Sequence, residues 1–329
     1  MDTRNESQEA QFVLGIDLGG TKSAALIADT AGNVACRVSG LTPASAGPAV
    51  IVPFLLDLAR RALAQGPGPV AGVGVSAGAP ASAKTGRVFS APNLPGWGDE
   101  GTPLARSLSE NLNNLPVALD NDANATALAE HRFGAGRGTD DMAFVTVGTG
   151  VGAGLILGGR LHRGAQETAG EIGHVAVETD PTRARLCACG LRGCLEAYAS
   201  GPSLVRIAVE NGWNGDASGP AVIAAARAGD AACAHSVTQA GEMLGRGIAA
   251  LCMVTNPERV VLGTLAVHAA DLLLPVIERV ARERSWPRVH ERLQIVPAEL
   301  GDRAQDLAAL CVWLAAPDEE KRRATAVLQ

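Results

Sequence analysis

Apolar and polar positions of this chain fall into blocks of strand length and helix length. Near the start, two apolar runs are separated by a glycine turn, and the same arrangement returns near the middle of the chain. The pattern predicts two hairpins, Phe12–Asp17 with Ser23–Asp29 and Asp141–Val147 with Val151–Leu157. Two hairpins of one kind indicate an internal duplication.

Between and after the hairpins, segments of helical length alternate with further apolar strands. Predicted helices are Val50–Gln65, Pro103–Asn113, Ala123–Phe133, Ala221–Ala228, Ala234–Thr255, Val267–Arg284 and Ala304–Leu314. Predicted strands are Val70–Ser76, Pro116–Asp120, Arg259–Leu262 and Leu293–Pro297. Strands and helices mixed in this way predict an α/β protein with two lobes.

Composition narrows the class of protein. Apolar residues make up 47% of the 329 residues, which is ordinary for a well-cored protein. A net charge of −6 argues against a basic surface for nucleic acid. The chain also has no apolar run of the roughly 18 residues needed to cross a membrane. Residues 1–11 are polar, so we expect a disordered leader rather than a signal peptide. Seven cysteines, an odd number, favour a reducing cytoplasm over a disulfide framework.

The two glycine turns are candidates for phosphate binding. Gly19-Gly20-Thr21-Lys22 and Gly148-Thr149-Gly150 can expose backbone N–H groups in a concave array. Only three residues of the chain are lysines, and Lys22 closes the first turn. Asp17 ends the preceding strand, where a carboxylate could hold Mg²⁺ through water. The alternative is that both segments are hairpin turns without a ligand.

The segment Asn121-Asp122-Ala123-Asn124 joins a predicted strand to a predicted helix. Asp and Asn are good helix N-caps, so one of these residues can have a purely structural role. Capping needs only one residue, however, and strand ends are where α/β proteins bind ligands. A carboxylate there could accept the proton of a sugar hydroxyl during phosphoryl transfer.

A histidine and three cysteines have the spacing of a metal site. His174 is followed by Cys187, Cys189 and Cys194, so three of the seven cysteines fall within eight residues. Three thiolates and one imidazole form a closed tetrahedral set for structural Zn²⁺. The alternative is three thiols and one histidine without a metal.

Together these motifs resemble the ROK family of sugar kinases and sugar-responsive repressors, most closely its bacterial glucokinases. The matching segments occur in family order and are Asp17–Lys22, Ala91–Leu94, Asn121–Asn124, Gly148–Gly154, Gly170–His174, Cys187–Glu196 and Asn256–Gly263. Three positions depart from the family pattern. Ser76–Pro80 replaces a Pro-Gly-Pro segment, Thr264 follows Gly263 in place of a second glycine, and Ala153 stands where glycine is frequent.

The resemblance implies a two-lobed, actin-like ATPase (ribonuclease H-like) fold with duplicated β-hairpin/α units. It places a small lobe at residues 12–120, completed by a C-terminal helix at about 303–329, and a larger lobe at residues 121–302. It implies Asp122 as catalytic base and ATP, Mg²⁺ and structural Zn²⁺ as cofactors. The implied sugar-binding residues are Gly78, Asn93, Asn121, Asp122, Glu171, His174 and Glu196. The implied nucleotide-binding residues are Asp17, Gly19, Gly20, Thr21, Lys22, Thr149, Gly150 and Gly263.

We therefore expect a cytoplasmic enzyme that phosphorylates the 6-hydroxyl of glucose, as a homodimer or homotetramer without nucleic-acid or membrane partners. The same chemistry on fructose, mannose, N-acetylmannosamine or N-acetylglucosamine is an open alternative, and so is polyphosphate as donor. A sugar-responsive repressor is the alternative from another class. Repressors of the family carry an added N-terminal helix-turn-helix domain. We do not expect a repressor here, because only about 11 residues precede the first strand and such a domain needs more.

Overall fold

The computed structural model describes residues 12–319 and 321. The predicted leader at residues 1–11 and the end of the predicted C-terminal helix therefore lie outside the described residues. The chain forms two compact units. Unit 1 contains the described residues up to Arg132 and those from Gly301 onward, and unit 2 contains Phe133–Leu300.

Strands and helices of the described residues follow the predicted α/β alternation. The strands are β1 (Phe12–Leu18), β2 (Lys22–Asp29), β3 (Val34–Leu41), β4 (Val70–Ala77), β5 (Ala81–Ser82), β6 (Arg87–Val88), β7 (Val117–Asn121), β8 (Met142–Val147), β9 (Val151–Leu157), β10 (Arg160–His162), β11 (Arg259–Thr264) and β12 (Gln294–Pro297). The α-helices are α1 (Pro48–Gln65), α2 (Leu104–Asn111), α3 (Asp122–Phe133), α4 (Glu196–Ala199), α5 (Gly201–Glu210), α6 (Gly219–Arg227), α7 (Ala231–Thr255), α8 (Leu265–His268), α9 (Ala270–Arg284) and α10 (Ala304–Ala315). Short 3₁₀ helices lie at Ala44–Ala46, Ile172–His174, Pro287–Glu291 and Gly301–Arg303.

The five-stranded sheets of the two units have the same topology. Unit 1 has the order β3-β2-β1-β4-β7 and unit 2 the order β10-β9-β8-β11-β12. In each sheet three antiparallel strands lead into two parallel ones. This confirms the predicted duplication and the actin-like fold class.

Helix α10 packs directly against the sheet of unit 1. Its residues contact β1 and β4 at two glycines, Gly15 and Gly74. A Cβ on Gly74 would stand 2.0 Å from the carbonyl oxygen of Ala309, which no side chain can tolerate. The glycines therefore bring the first turn of α10, with Asp306, close to the carboxyl end of β1, where Asp17 lies.

The long helix α7 organises the core of unit 2. It packs against α9, α5 and α6, and its buried face includes Leu244 and Ile248. The buried strands β8 and β11 lie side by side in the sheet, in parallel register from Met142–Arg259 to Val147–Thr264. Both strands end beside the second glycine turn, which is thereby fixed to the core.

Some predicted boundaries differ from the structure. Residues 121–132 and 301–302 were assigned to the larger lobe, but they belong to unit 1. Arg132 at the end of α3 donates a hydrogen bond to the carbonyl oxygen of Thr30, and the first turn of α3 is hydrogen-bonded to the end of β7. The predicted helix from Val267 to Arg284 is in fact two helices, since Ala269 adopts a non-helical ψ of 18°.

The structure also bears on membrane association. Among the described residues, no helix combines the length and the apolar character needed to cross a bilayer.

Candidate functional site

The first glycine turn, between β1 and β2, packs against the loop that carries Asn93. A Cβ on Gly20 would lie 2.8 Å from the backbone oxygen of Asn93, and one on Gly19 would lie 2.5 Å from that of Lys22. Asn93 donates from Nδ2 to the carbonyl oxygen of Gly78 at 3.0 Å. Gly78 in turn donates from its amide to Leu18 at 2.8 Å. Unit 1 therefore brings predicted phosphate-binding and sugar-binding residues into contact.

The first glycine turn also contains Thr21 and Lys22, which are predicted to bind phosphate. Thr21 and Lys22 are both exposed at its far side, and Lys22 begins β2. The Thr21 carbonyl oxygen accepts a hydrogen bond from the amide of Thr42 at 2.9 Å, which ties the turn to the end of β3. Both side chains are thus accessible on an anchored backbone.

Asp17 lies in a cluster of carboxylates at the end of β1. Its side chain is 8% exposed, and burial is the main cause that raises its pKa to about 7. The negative charges of Asp122 and Asp306 raise the pKa further, while Arg37 and a hydrogen bond from Ser76 oppose them. Arg37 pairs with Asp306 at 2.8 Å. A bound cation would compensate the remaining negative charge, and carboxylate oxygens suit Mg²⁺.

The polar residues at the end of β7 differ in their hydrogen bonds, and Asn121 is the one that caps α3. Asn121 Oδ1 accepts a hydrogen bond from the amide of Asn124 at 2.8 Å, so Asn121 caps α3. Asp120 is buried, and its Oδ1 accepts from Asn124 Nδ2 at 2.8 Å. Because Asn121 serves as the cap, the side chain of Asp122 is available for chemistry.

Asp122 is an exposed residue at the first position of α3, yet the pKa of its carboxyl group is raised to about 6, mainly by desolvation. The surrounding protein removes part of the solvation of the charged form, and this outweighs hydrogen bonds from the backbone amides of Ala123 and Asp122. A carboxylate with this pKa is mostly ionised at neutral pH. It is also more basic than an ordinary aspartate, which suits a general base.

In unit 2 the second glycine turn is tied to Glu196. Glu196 Oε2 accepts a hydrogen bond from the amide of Val151 at 3.0 Å, and a Cβ on Gly150 would stand 2.6 Å from the same oxygen. The carbonyl oxygen of Gly148 accepts from the amide of Gly201 at 2.8 Å, while Thr149 is exposed at the tip. A residue predicted to bind sugar thus supports the turn predicted to bind phosphate.

The four predicted metal ligands converge in unit 2. One ligand atom from each of His174, Cys187, Cys189 and Cys194 lies within 4.8 Å of all the others. Cys189 Sγ and Cys194 Sγ are 3.7 Å apart, and Cys187 Sγ lies 3.8 Å from His174 Nδ1. Tetrahedral Zn²⁺ with bonds of about 2.3 Å places two sulfurs about 3.8 Å apart. The donor set and its spacing therefore fit zinc.

His174 presents its two ring nitrogens to different surroundings. Nδ1 faces the cysteines, whereas Nε2 lies 3.9 Å from Glu171 Oε2. Tyr198 anchors the segment that leads to Cys187. Its hydroxyl donates a hydrogen bond to the carbonyl oxygen of Arg183 and accepts one from the amide of Arg185, both at 2.9 Å. The loop therefore has anchors independent of any metal.

A pocket of about 450 Å³ in unit 2 lies beside the second glycine turn. The sequence prediction missed most of its lining, which is Gly148, Thr149, Gly201, Pro202, Val205, Ala217, Gly219, Pro220 and Leu265. A repeated tripeptide is the signal that could have found it: Ser-Gly-Pro opens both α5 and α6. In each repeat the serine caps its helix, so two helix N-termini border one pocket.

Gly263 and Thr264 end β11 next to this pocket. A Cβ on Gly263 would stand 2.3 Å from the ring of Phe144, so the glycine is required by packing. Its predicted nucleotide contact remains a prediction. Thr264 Oγ1 accepts a hydrogen bond from the amide of Val147 at 2.9 Å, which joins β11 to the start of the glycine turn.

Comparison with known proteins gives one family. The sequence model of the ROK family matches residues 13–316. A glucokinase of Halalkalibacterium halodurans is 34% identical, over 89% of this chain and 92% of the relative. A xylose repressor of Caldicellulosiruptor bescii is 32% identical, over 93% of this chain and 79% of the repressor.

Solved structures agree with the sequence matches. The ROK hexokinase of Thermus thermophilus has a TM-score of 0.81 at 34% identity, covering 92% of this chain and 98% of that one. A ROK family glucokinase of Streptomyces griseus, in complex with glucose and AMPPNP, has a TM-score of 0.73 at 32% identity, covering 91% and 97%.

Proposed function

The chain belongs to the ROK family, and from that premise we propose that it is an ATP-dependent hexose kinase with glucose as the preferred acceptor. The observation that carries this proposal is Asp122, an accessible carboxylate with a pKa raised to about 6 and freed from capping by Asn121. The glucokinase and hexokinase relatives support it. Phosphorylation of glucose by the purified protein with ATP is the direct test.

In the proposed reaction, Asp122 accepts the proton of the sugar 6-hydroxyl. The hydroxyl oxygen forms a bond to the γ-phosphorus of ATP as the bond to the β–γ bridging oxygen breaks, and ADP leaves. Positioning and electrostatics supply most of the acceleration in such reactions. The proposed residues for other sugar hydroxyls are the exposed Asn93 and the half-buried Asn121 in unit 1, and Glu171 and His174 in unit 2.

Each glycine turn is proposed, by itself, to contact nucleotide phosphates. The contacting residues would be Gly19, Gly20 and Lys22 in the turn of unit 1, and Thr149 and Gly150 in the turn of unit 2. The 450 Å³ pocket is mostly apolar and borders Thr149, so it suits the adenosine moiety. Mg²⁺, when bound near Asp17, would neutralise phosphate charge.

Zinc has a supporting role in this proposal. His174, Cys187, Cys189 and Cys194 would fill all four positions of the metal, so it would hold the loop without binding substrate. With Nδ1 of His174 on the metal, Nε2 is left for a sugar hydroxyl beside Glu171. Assembly as a homodimer or homotetramer remains a prediction.

The identity of the sugar is the open part of the proposal. A panel of glucose, fructose, mannose, N-acetylmannosamine and N-acetylglucosamine at saturating ATP would identify it. We expect the highest kcat/KM with glucose. A higher value for another hexose would keep the mechanism and change the substrate, and polyphosphate in place of ATP would test the donor.

We expect kcat to depend on pH through Asp122. The base must be ionised, so activity should fall as pH falls through about 6 and should level off above about pH 7. A pH–rate profile from pH 5 to 8 measures this acid limb. In Asp122→Asn the part of the limb near pH 6 should vanish, and only the titration of groups such as Asp17, whose pKa is raised to about 7, should remain. An unchanged limb in the variant would assign the titration to another residue.

A sugar-responsive repressor is the second candidate, and the similarity to a xylose repressor favours it. The net charge of −6 opposes it, since DNA binding needs a basic face. Gel-shift experiments at low salt on genomic DNA fragments should show no retarded band. Retardation relieved by a sugar would support the repressor function.

A further inference from the structure

Thr264 has a backbone conformation that side chains rarely adopt. Its φ is 55° and its ψ is −122°, and it is β-branched, so a glycine would be far less strained at this position. It stands between the end of β11 and the start of α8. A strained residue persists only where its surroundings hold it in place, and here its own side chain does so.

The hydroxyl of Thr264 is a hub of polar contacts. Oγ1 accepts from the amide of Val147 at 2.9 Å and lies within hydrogen-bond distance of the carbonyl oxygens of Val147 and Gly263, at 2.5 and 2.8 Å. Thr146 Oγ1 is 3.3 Å away. The amide and the carbonyl of Val147 belong to the last residue of β8, directly before the second glycine turn.

The residues that follow Val147 and Thr264 in the chain line the pocket. Gly148 and Thr149 follow Val147, and Leu265 follows Thr264. The hydroxyl therefore ties together two pocket walls that are more than 100 residues apart in the sequence. A change in its position would move Gly148 and Leu265 relative to one another.

We propose that Thr264 is a positioning residue for the nucleotide, whose hydroxyl clamps the second glycine turn to the pocket wall. This inference rests on the proposed kinase function. Glycine at this position would relieve the strain but lose the clamp. The clamp should therefore affect the nucleotide more than the sugar, because its link to the sugar-binding residues runs only indirectly, through the turn and Glu196.

The test compares Thr264→Gly, Thr264→Ser and Thr264→Val with the wild type. We expect Thr264→Gly to raise KM for ATP and the dissociation constant of AMPPNP by about three- to tenfold, the effect of one or two lost hydrogen bonds. KM for glucose and Tm should change little. Thr264→Ser keeps the hydroxyl and should restore ATP binding, whereas Thr264→Val should bind ATP as poorly as the glycine variant.

Asn114→Gly is the matched control. Asn114 also has a positive φ, 57°, but lies in unit 1 outside the pocket, so its replacement puts glycine at a positive-φ position without touching the clamp. It should leave both KM values unchanged. Calorimetry with AMPPNP separates the outcomes. Wild-type protein that binds no nucleotide would overturn the proposed function and this inference together. Wild-type and Thr264→Gly proteins with equal affinity would overturn this inference alone, and so would a serine variant that fails to restore binding.

Discussion

Asp122→Asn should lower kcat by about 10²- to 10⁴-fold, the usual effect of losing a general base. The amide has the shape of the carboxylate but cannot accept the proton of the sugar hydroxyl. The fold should be unchanged, because Asn121, not Asp122, caps α3. KM values for glucose and ATP should therefore change much less than kcat. Steady-state kinetics with both substrates, with circular dichroism as a check on folding, make the measurement.

Asp57→Asn is the control for this change. Asp57 is an exposed residue of α1 in the same unit, where it pairs with Arg61 at 3.3 Å. The Asp57→Asn variant undergoes the same chemical change on a different helix, and its kcat should match that of the wild type. Turnover by Asp122→Asn within a few-fold of the wild type would remove Asp122 as the base.

Cys189→Ser should release the metal and raise KM for glucose selectively. Serine is a poor zinc ligand, and Cys189 is the exposed member of the cluster, so its replacement disturbs the core least. Without zinc the ring of His174 is no longer held by Nδ1, and Nε2 loses its fixed position next to Glu171. We expect KM for glucose to rise about tenfold or more, the scale of losing a supporting ligand contact. KM for ATP should change little.

Zinc content by atomic absorption accompanies the kinetics. We expect about one zinc per wild-type chain and almost none in the variant. Cys36→Ser controls for the loss of a thiol, since Cys36 lies in β3 of unit 1 and contacts the carbonyl oxygen of Ala62. A wild-type protein that is fully active without metal would contradict the zinc proposal. An equal rise in both KM values would show that the loop supports the protein generally and not the sugar site.

Local patterns carried most of the correct predictions. Both hairpins were readable because buried strands are nearly continuous apolar runs that stop at glycines, and neighbouring residues encode this directly. The convergence of His174 with the cysteines was readable for the same reason, since the three cysteines lie within eight residues. The edge strands β3 and β10 were missed because most of their side chains are exposed or half-buried and show no apolar run.

Sequence by itself therefore determined the family and the duplicated α/β plan, and it predicted the residues that can carry chemistry. Only the tertiary structure decided which contacts each of those residues makes. It assigned capping to Asn121, placed Glu196 against the amide of Val151, and joined Val147 to Thr264. These contacts depend on strand register and helix packing between distant segments. Residues close in the sequence carry no signal of such contacts, because the distance between two segments is set by everything that packs between them.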